Sequence, residues 1–188
     1  EAVANANDSQ TVTLLSDVAE DVTIDKNITL DLGGKTLTNT KAGKATLTVA
    51  SGVTAAVKNG SIVGGTSYYT ILNNGTATLE DITATAGNTG SSMLDNAGTL
   101  TINSGSYTGG MNTVKNEPNA TLTINGGTFT NDYSEYNANT AVVYNLGAVT
   151  INDGEFDHNA TYAMWHYPHV IMTTSENNVV PSTIIKGG

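Results

Sequence analysis

Apolar residues along this chain come in pairs, two positions apart, and the pairs return at a nearly constant interval. The clearest stretch is Gly98–Asn131, where Thr-Leu-Thr-Ile-Asn-x-Gly-x-aromatic-Thr occurs twice, at Thr99–Thr108 and at Thr121–Thr130. Looser copies fill the rest. Aligned on the last apolar residue of each pair, they put Leu32, Val57, Leu79, Ile102, Ile124 and Ile151 in one column. Two positions earlier stand Leu30, Ala55, Ala77, Leu100, Leu122 and Val149, and five positions later Leu37, Ile62, Ala84, Tyr107, Phe129 and Phe156. A third set lies upstream: Ile24, Val49, Ile71, Leu94, Val114 and either Val142 or Val143. Apolar residues two apart share one face of a strand. No single copy can bury its own apolar face, but stacked copies bury one another's, and a period of roughly 20–30 residues is the signature of a solenoid. The expected fold is all-β: a single parallel β-helix (β-solenoid) of about six to seven coils with an N-terminal cap.

The pattern also divides the chain. Residues 1–21 read as a leader and N-terminal cap: Glu1–Asp8 is unpatterned, Gln10–Leu15 alternates as a strand, and acidic Val18–Asp21 suggests a turn. Such a cap blunts the unpaired strand edges of a solenoid end. Residues 22–159 hold the coils, with Asp132–Thr140 as a loop between the last two. Residues 160–188 read as a degenerate last coil or C-terminal cap, faintly patterned at His169–Met172 and Val179–Ile185. Beside the core runs a polar column of Ser51, Asn73, Asn96 and Asn145, which Asn116 joins if Glu117-Pro118 is an insertion. Stacked amides can hydrogen-bond from coil to coil and satisfy buried corner backbone, so Asn73, Asn96, Asn116 and Asn145 read as a structural Asn ladder.

Composition narrows the function. The 188 residues carry a net charge of −10, which argues against nucleic acid or an anionic membrane surface as partner. All seven basic residues are Lys, and there is no Cys, hence no disulfide and no thiolate metal site. No apolar run reaches the length of a membrane span. The chain does not begin with Met and shows no signal peptide, so it reads as a mature fragment or an excised domain. A Cys-free, acidic, Thr/Asn-rich chain suggests an extracellular location, on a cell surface or a virion.

The opening ITLDLGGKTLT (Ile28–Thr38), the LTIxxGxF/Y repeats and the Asn column resemble the right-handed parallel β-helix of the pectate-lyase-like superfamily, over Val22–Asn159. The resemblance implies a right-handed coil. Its closest non-catalytic types are repeat regions of bacterial surface proteins and fibre or spike proteins of bacteriophages. The superfamily's enzymes imply residues this chain lacks. Pectate lyases use an Arg base beside a Ca²⁺-binding carboxylate cluster, and there is no Arg here. The polygalacturonase signatures are missing as well. A carboxylate-pair hydrolase remains conceivable only at Glu80-Asp81 with Asp95, or at Asp153, Glu155 and Asp157, which read instead as a solvated acidic edge. His158, His166 and His169 match no metal-ligand spacing, and no cofactor is expected.

Two surface features bear on binding. Tyr162, Trp165 and Tyr167, with Asp157 and His158, have the composition of a glycan platform, the alternative being an apolar plug for the solenoid end. Tyr133 and Tyr136, or Tyr68 and Tyr69, would extend such a face. An outward Thr grid (Thr76/Thr78, Thr99/Thr101, Thr121/Thr123, Thr150) resembles the ice-binding face of some antifreeze β-solenoids, though Thr is also a good strand residue. The expectation is a non-enzymatic extracellular structural or adhesive module of a bacterial surface protein, with a glycan or protein partner. The alternative is a virion fibre or spike assembled as a homo-trimer. A polysaccharide lyase or hydrolase and an ice-binding protein rank behind these.

Overall fold

The computed structural model describes residues 2–134, 140–159 and 169–187. The apolar pairs fold as predicted, into an all-β parallel solenoid of about six turns. Each full turn contributes one segment to a seven-stranded sheet and two to a thirteen-stranded sheet. The seven-stranded sheet stacks Val22–Ile24, Leu47–Val49, Ile71–Asn73, Leu94–Asn96, Val114–Asn116, Ala141–Asn145 and His169–Thr173. In two turns the other segments form one continuous ten-residue strand, Thr54–Val63 and Thr76–Thr85, bent where Asn59 and Asp81 take positive φ. Later turns break at the same place, as between Thr99–Ile102 and Gly105–Thr108. Every paired strand lies parallel to its neighbour in the next turn, so backbone hydrogen bonds run along the solenoid axis.

The core is one column because registered residues repeat. Leu100 lies between Ala77 and Leu122, and Ile102 between Leu79 and Ile124, all essentially removed from water. Tyr107, Phe129 and Phe156 stack face to face, with ring centroids 4.9 Å apart in both pairs and planes 9° and 6° from parallel. At the N-terminal end a short helix, Ala2–Asn5, lies over the first turn, and the Lys26 ammonium donates to the carbonyls of Ala4 and Ala6. Beneath it is a largely apolar cavity of about 340 Å³ bounded by Val3, Val12, Leu14 and Leu30.

Four local expectations are corrected. Leu30, not Leu32, registers with Val57. A two-residue slip keeps every side chain on its own face, so the apolar alternation is blind to it. Ile24 and Val49 register with Asn73, whereas Leu47 registers with Ile71. Both inward positions of those early strands are apolar, and the pattern offered no way to choose between them. It follows that Ser51, which is exposed, is not in the Asn column: Val49 occupies that place. Finally, Val18–Ala19 is a short strand paired with Leu37–Thr38 rather than a turn.

The four ladder asparagines are fully buried. Each Nδ2 donates to the next Oδ1: Asn73 to Asn96 at 2.7 Å, Asn96 to Asn116 at 2.8 Å and Asn116 to Asn145 at 2.9 Å. Three of them open an Asn-x-Gly corner in which the Gly N–H returns to the Asn Oδ1, at Gly75, Gly98 and Gly147. Gly98 has no substitute, since a Cβ there would lie 2.0 Å from the Gly75 carbonyl oxygen. Asn96→Leu removes the donor to Asn116 Oδ1 and to the Thr121 carbonyl, inside a site that admits no water. The expected loss is about 2–3 kcal/mol. Asn73→Leu is expected to cost about 1 kcal/mol, because Asn73 ends the ladder and already faces Val49. Denaturant unfolding of the two variants checks the order, and equal costs would speak against a cooperative ladder.

Candidate functional site

The outward positions of the seven-stranded sheet lie between two inward residues, an apolar one and, from Asn73 to Asn145, a ladder Asn. Down this outer face Leu72, Asp95, Lys115, Tyr144 and Met172 register one above another. Over the middle of the column the surface sinks into a groove of about 310 Å³, within the size range of small-ligand sites. Tyr69, Lys115, Tyr144 and Glu176 contribute side chains to its wall, with the Ser91–Ser92 and Met111–Asn112 corners beside them. The corners are fixed: Asn112 Nδ2 donates to Ser92 Oγ at 3.3 Å, and its Oδ1 accepts from the Ala141 N–H at 2.8 Å.

Asp95 sits in this column with only 4% of its surface exposed. Its side chain faces the outer side of the sheet, because Leu94 and Asn96 on either side face the core. Burial, reinforced by the Glu117 carboxylate and offset by the Lys115 ammonium, pushes its carboxyl up to about 7. The Lys115 ammonium is itself held by Glu117 in an ion pair. No hydrogen-bond donor reaches Asp95 Oδ1 among the described residues. Burial and the neighbouring Asp95 charge raise the Tyr69 phenol above its ordinary value, and burial with Glu176 does the same for Tyr144. The groove thus presents two phenol rings, one neutralised lysine and the Glu176 carboxylate, while Asp95 and Glu117 stand beside Lys115 without lining it.

The residues singled out from sequence fall elsewhere. Asp157 is exposed on Glu155–His158, registered with Thr130. His158 registers with Asn131 and is half-buried, and desolvation lowers its imidazole below the usual range. Tyr162, Trp165 and Tyr167 lie outside the described residues, as do Tyr136 and His166. Tyr133, expected on a binding face, is buried instead, its N–H donating to Asn131 Oδ1 at 2.9 Å. Of the expected extensions among the described residues, Tyr69 alone lines the groove, with Tyr68 packed against it at 4.6 Å between ring centroids.

Nor do the paired acids assemble. Glu80 registers with Lys58 on the thirteen-stranded sheet, and Asp81 accepts from Ser104 Oγ at 2.7 Å, whereas Asp95 belongs to the other sheet. The Thr grid is in register: Thr54, Thr76, Thr99 and Thr121 form one column, and Thr78, Thr101, Thr123 and Thr150 the next. Beside it runs a second, outer Asn ladder that the sequence reading did not separate out, with Asn125 donating to Asn103 at 2.9 Å and Asn152 to Asn125 at 2.7 Å. The outward column of this sheet runs Thr23, Thr48, Leu72, Asp95, Lys115, Tyr144 and Met172, so the charges and the phenol fall together in its later turns. No described cluster of three His, Cys or acidic side chains is placed to hold a metal ion, and no described helix is long and apolar enough to cross a membrane. Compared with known proteins, the chain matches no family model, no curated protein and no solved structure.

Proposed function

We propose that this chain is a non-enzymatic, extracellular stalk or adhesive module of a bacterial surface protein, of the right-handed pectate-lyase-like type, and that it binds glycan through the groove on its seven-stranded sheet. The observation that carries the reading is the pairing of Tyr69 and Tyr144 with Lys115 and Glu176 along one groove. Phenol rings offer flat apolar faces to sugar C–H groups, and the charged and amide groups between them meet hydroxyls. The stacked core supports a stalk, since each turn is braced by both neighbours. Against catalysis, the carboxyls of Asp95 and Glu117 meet each other directly rather than flanking space for a sugar, and the chain has no Arg.

A broad glycan array probed with the purified chain tests this. At least one oligosaccharide is expected to bind, and Tyr144→Ala is expected to weaken it about tenfold or more without lowering thermal stability appreciably. Retention of every array signal by a Tyr69→Ala/Tyr144→Ala double variant would remove the groove from the reading.

A further inference from the structure

Taking the groove as a glycan site, we infer that it selects an N-acetylated hexosamine, whose acetamido carbonyl is received by Ser92 and Asn112. Both residues line the groove, and both are more than nine-tenths buried. Their hydrogen bonds fix the sense of each polar group. Asn112 Oδ1 is the atom that accepts from the Ala141 N–H at 2.8 Å, because an amide nitrogen cannot accept. Asn112 Nδ2 therefore donates to Ser92 Oγ, at 3.3 Å. Ser92 Oγ is the acceptor in that bond, and its own O–H donates to no other group among the described residues. The second N–H of Asn112 Nδ2 is in the same state. The backbone around them is already engaged. The Ser91 carbonyl accepts from the Met111 N–H and the Asn112 carbonyl from the Met93 N–H, both at 2.8 Å. The Gly90 and Ser91 N–H groups donate to Asn88 Oδ1. What this corner of the groove has to spare is donors.

A matching ligand group accepts without donating. A sugar hydroxyl brings a hydrogen of its own, which would have to share a carbonyl already in use, and a buried donor left unmade is costly. A carboxylate or sulfate only accepts, but Glu176 stands on the rim and the Lys115 ammonium is held by Glu117, within a chain of net charge −10. Uronic, sialic and sulfated sugars are therefore repelled. An amide carbonyl is neutral and has two lone pairs for the two donors. On a sugar, the acetamido group carries it. Met111 lines the same corner and offers an apolar neighbour to the acetyl methyl, and Tyr69 and Tyr144 are left for the sugar ring.

Calorimetric titration of the purified chain with two probes decides the matter: the β-1,4-linked tetrasaccharide of N-acetylglucosamine and that of glucose, which puts a hydroxyl where the first has its acetamido group. The acetylated probe is expected to bind at least about tenfold more tightly. Ser92→Ala is expected to remove most of that preference and to leave the glucose probe unaffected, whereas Ser92→Thr, which keeps the hydroxyl, retains it. Melting temperatures show whether the variants fold, and the ratio measured on the unmodified chain needs no variant. If the two probes bind equally, the acetamido assignment is overturned. Full preference in Ser92→Ala, or an equal loss for both probes, would overturn the role of the Ser92 hydroxyl. If the sugars held through Tyr69 and Tyr144 carry no acetamido group, the assignment alone fails and the glycan reading survives. If no sugar binds at all, the glycan reading fails with it.

Discussion

Leu100→Asp is expected to destroy the cooperative fold, costing about 4–5 kcal/mol or more against a typical total of about 5–15 kcal/mol. Leu100 is wholly buried at the middle of the solenoid, with Ala77 in the turn before it and Leu122 in the turn after. An aspartate there has no cation and no water to meet, and the flanking strands are fastened to both neighbours. The charge can escape only if the turn leaves the stack, and in a solenoid that separates the two halves, since each turn is stabilised by the ones it touches. Thr101→Asp, one residue along and on the outer face, is the matched control and should cost under about 1 kcal/mol. Circular dichroism through a denaturant titration reads both. An unchanged midpoint for Leu100→Asp would mean that the inward face has been assigned backwards.

Phe129→Ala has the second-largest expected effect. Phe129 is fully buried and is the middle ring of the Tyr107–Phe129–Phe156 stack, so it alone contacts both other aromatics. Truncation leaves a ring-sized cavity between rigid turns that cannot close on it, at about 3–5 kcal/mol, and removes two stacking contacts. Phe129→Leu restores much of the volume but no stacking and should cost about 1–2 kcal/mol. Phe156→Ala should cost less than Phe129→Ala, because Phe156 is only partly buried and has a ring on one side. Thermal melts of the three variants should rank in that order. Equal losses for Phe129 and Phe156 would show that the stack is not what stabilises this corner.

What the sequence made legible follows from period. Leu100, Ile102, Tyr107 and their counterparts recur with the geometry of the fold itself, and the repeated Thr-Leu-Thr-Ile motif fixed their register because it left no alternative pairing. The first turn was misaligned for the same physical reason that the rest was right: Leu30 and Leu32 both point inward, and a slip of two residues changes no face. The buried ladder was visible because Asn is an unusual residue to repeat at an inward position, whereas the outer ladder of Asn103, Asn125 and Asn152 was masked by Asn being common at exposed corners. The groove was the least legible part. Its residues come from different turns and share no type, so nothing periodic joins Tyr69, Lys115, Tyr144 and Glu176. Lys115 and Tyr144 are brought together by register, and the Tyr69 and Glu176 corners fold in beside them. The burial of Asp95 is likewise a product of its neighbours on other turns.

The most direct test of the account is to titrate an oligosaccharide selected on the glycan array into isotope-labelled protein and map the amide and aromatic shifts by NMR. The account expects saturable changes centred on Tyr69, Lys115, Tyr144 and Glu176, with the Thr columns of the thirteen-stranded sheet unmoved. Saturable changes confined to the Thr columns or to the C-terminal turn, with Tyr69 and Tyr144 silent, would contradict it.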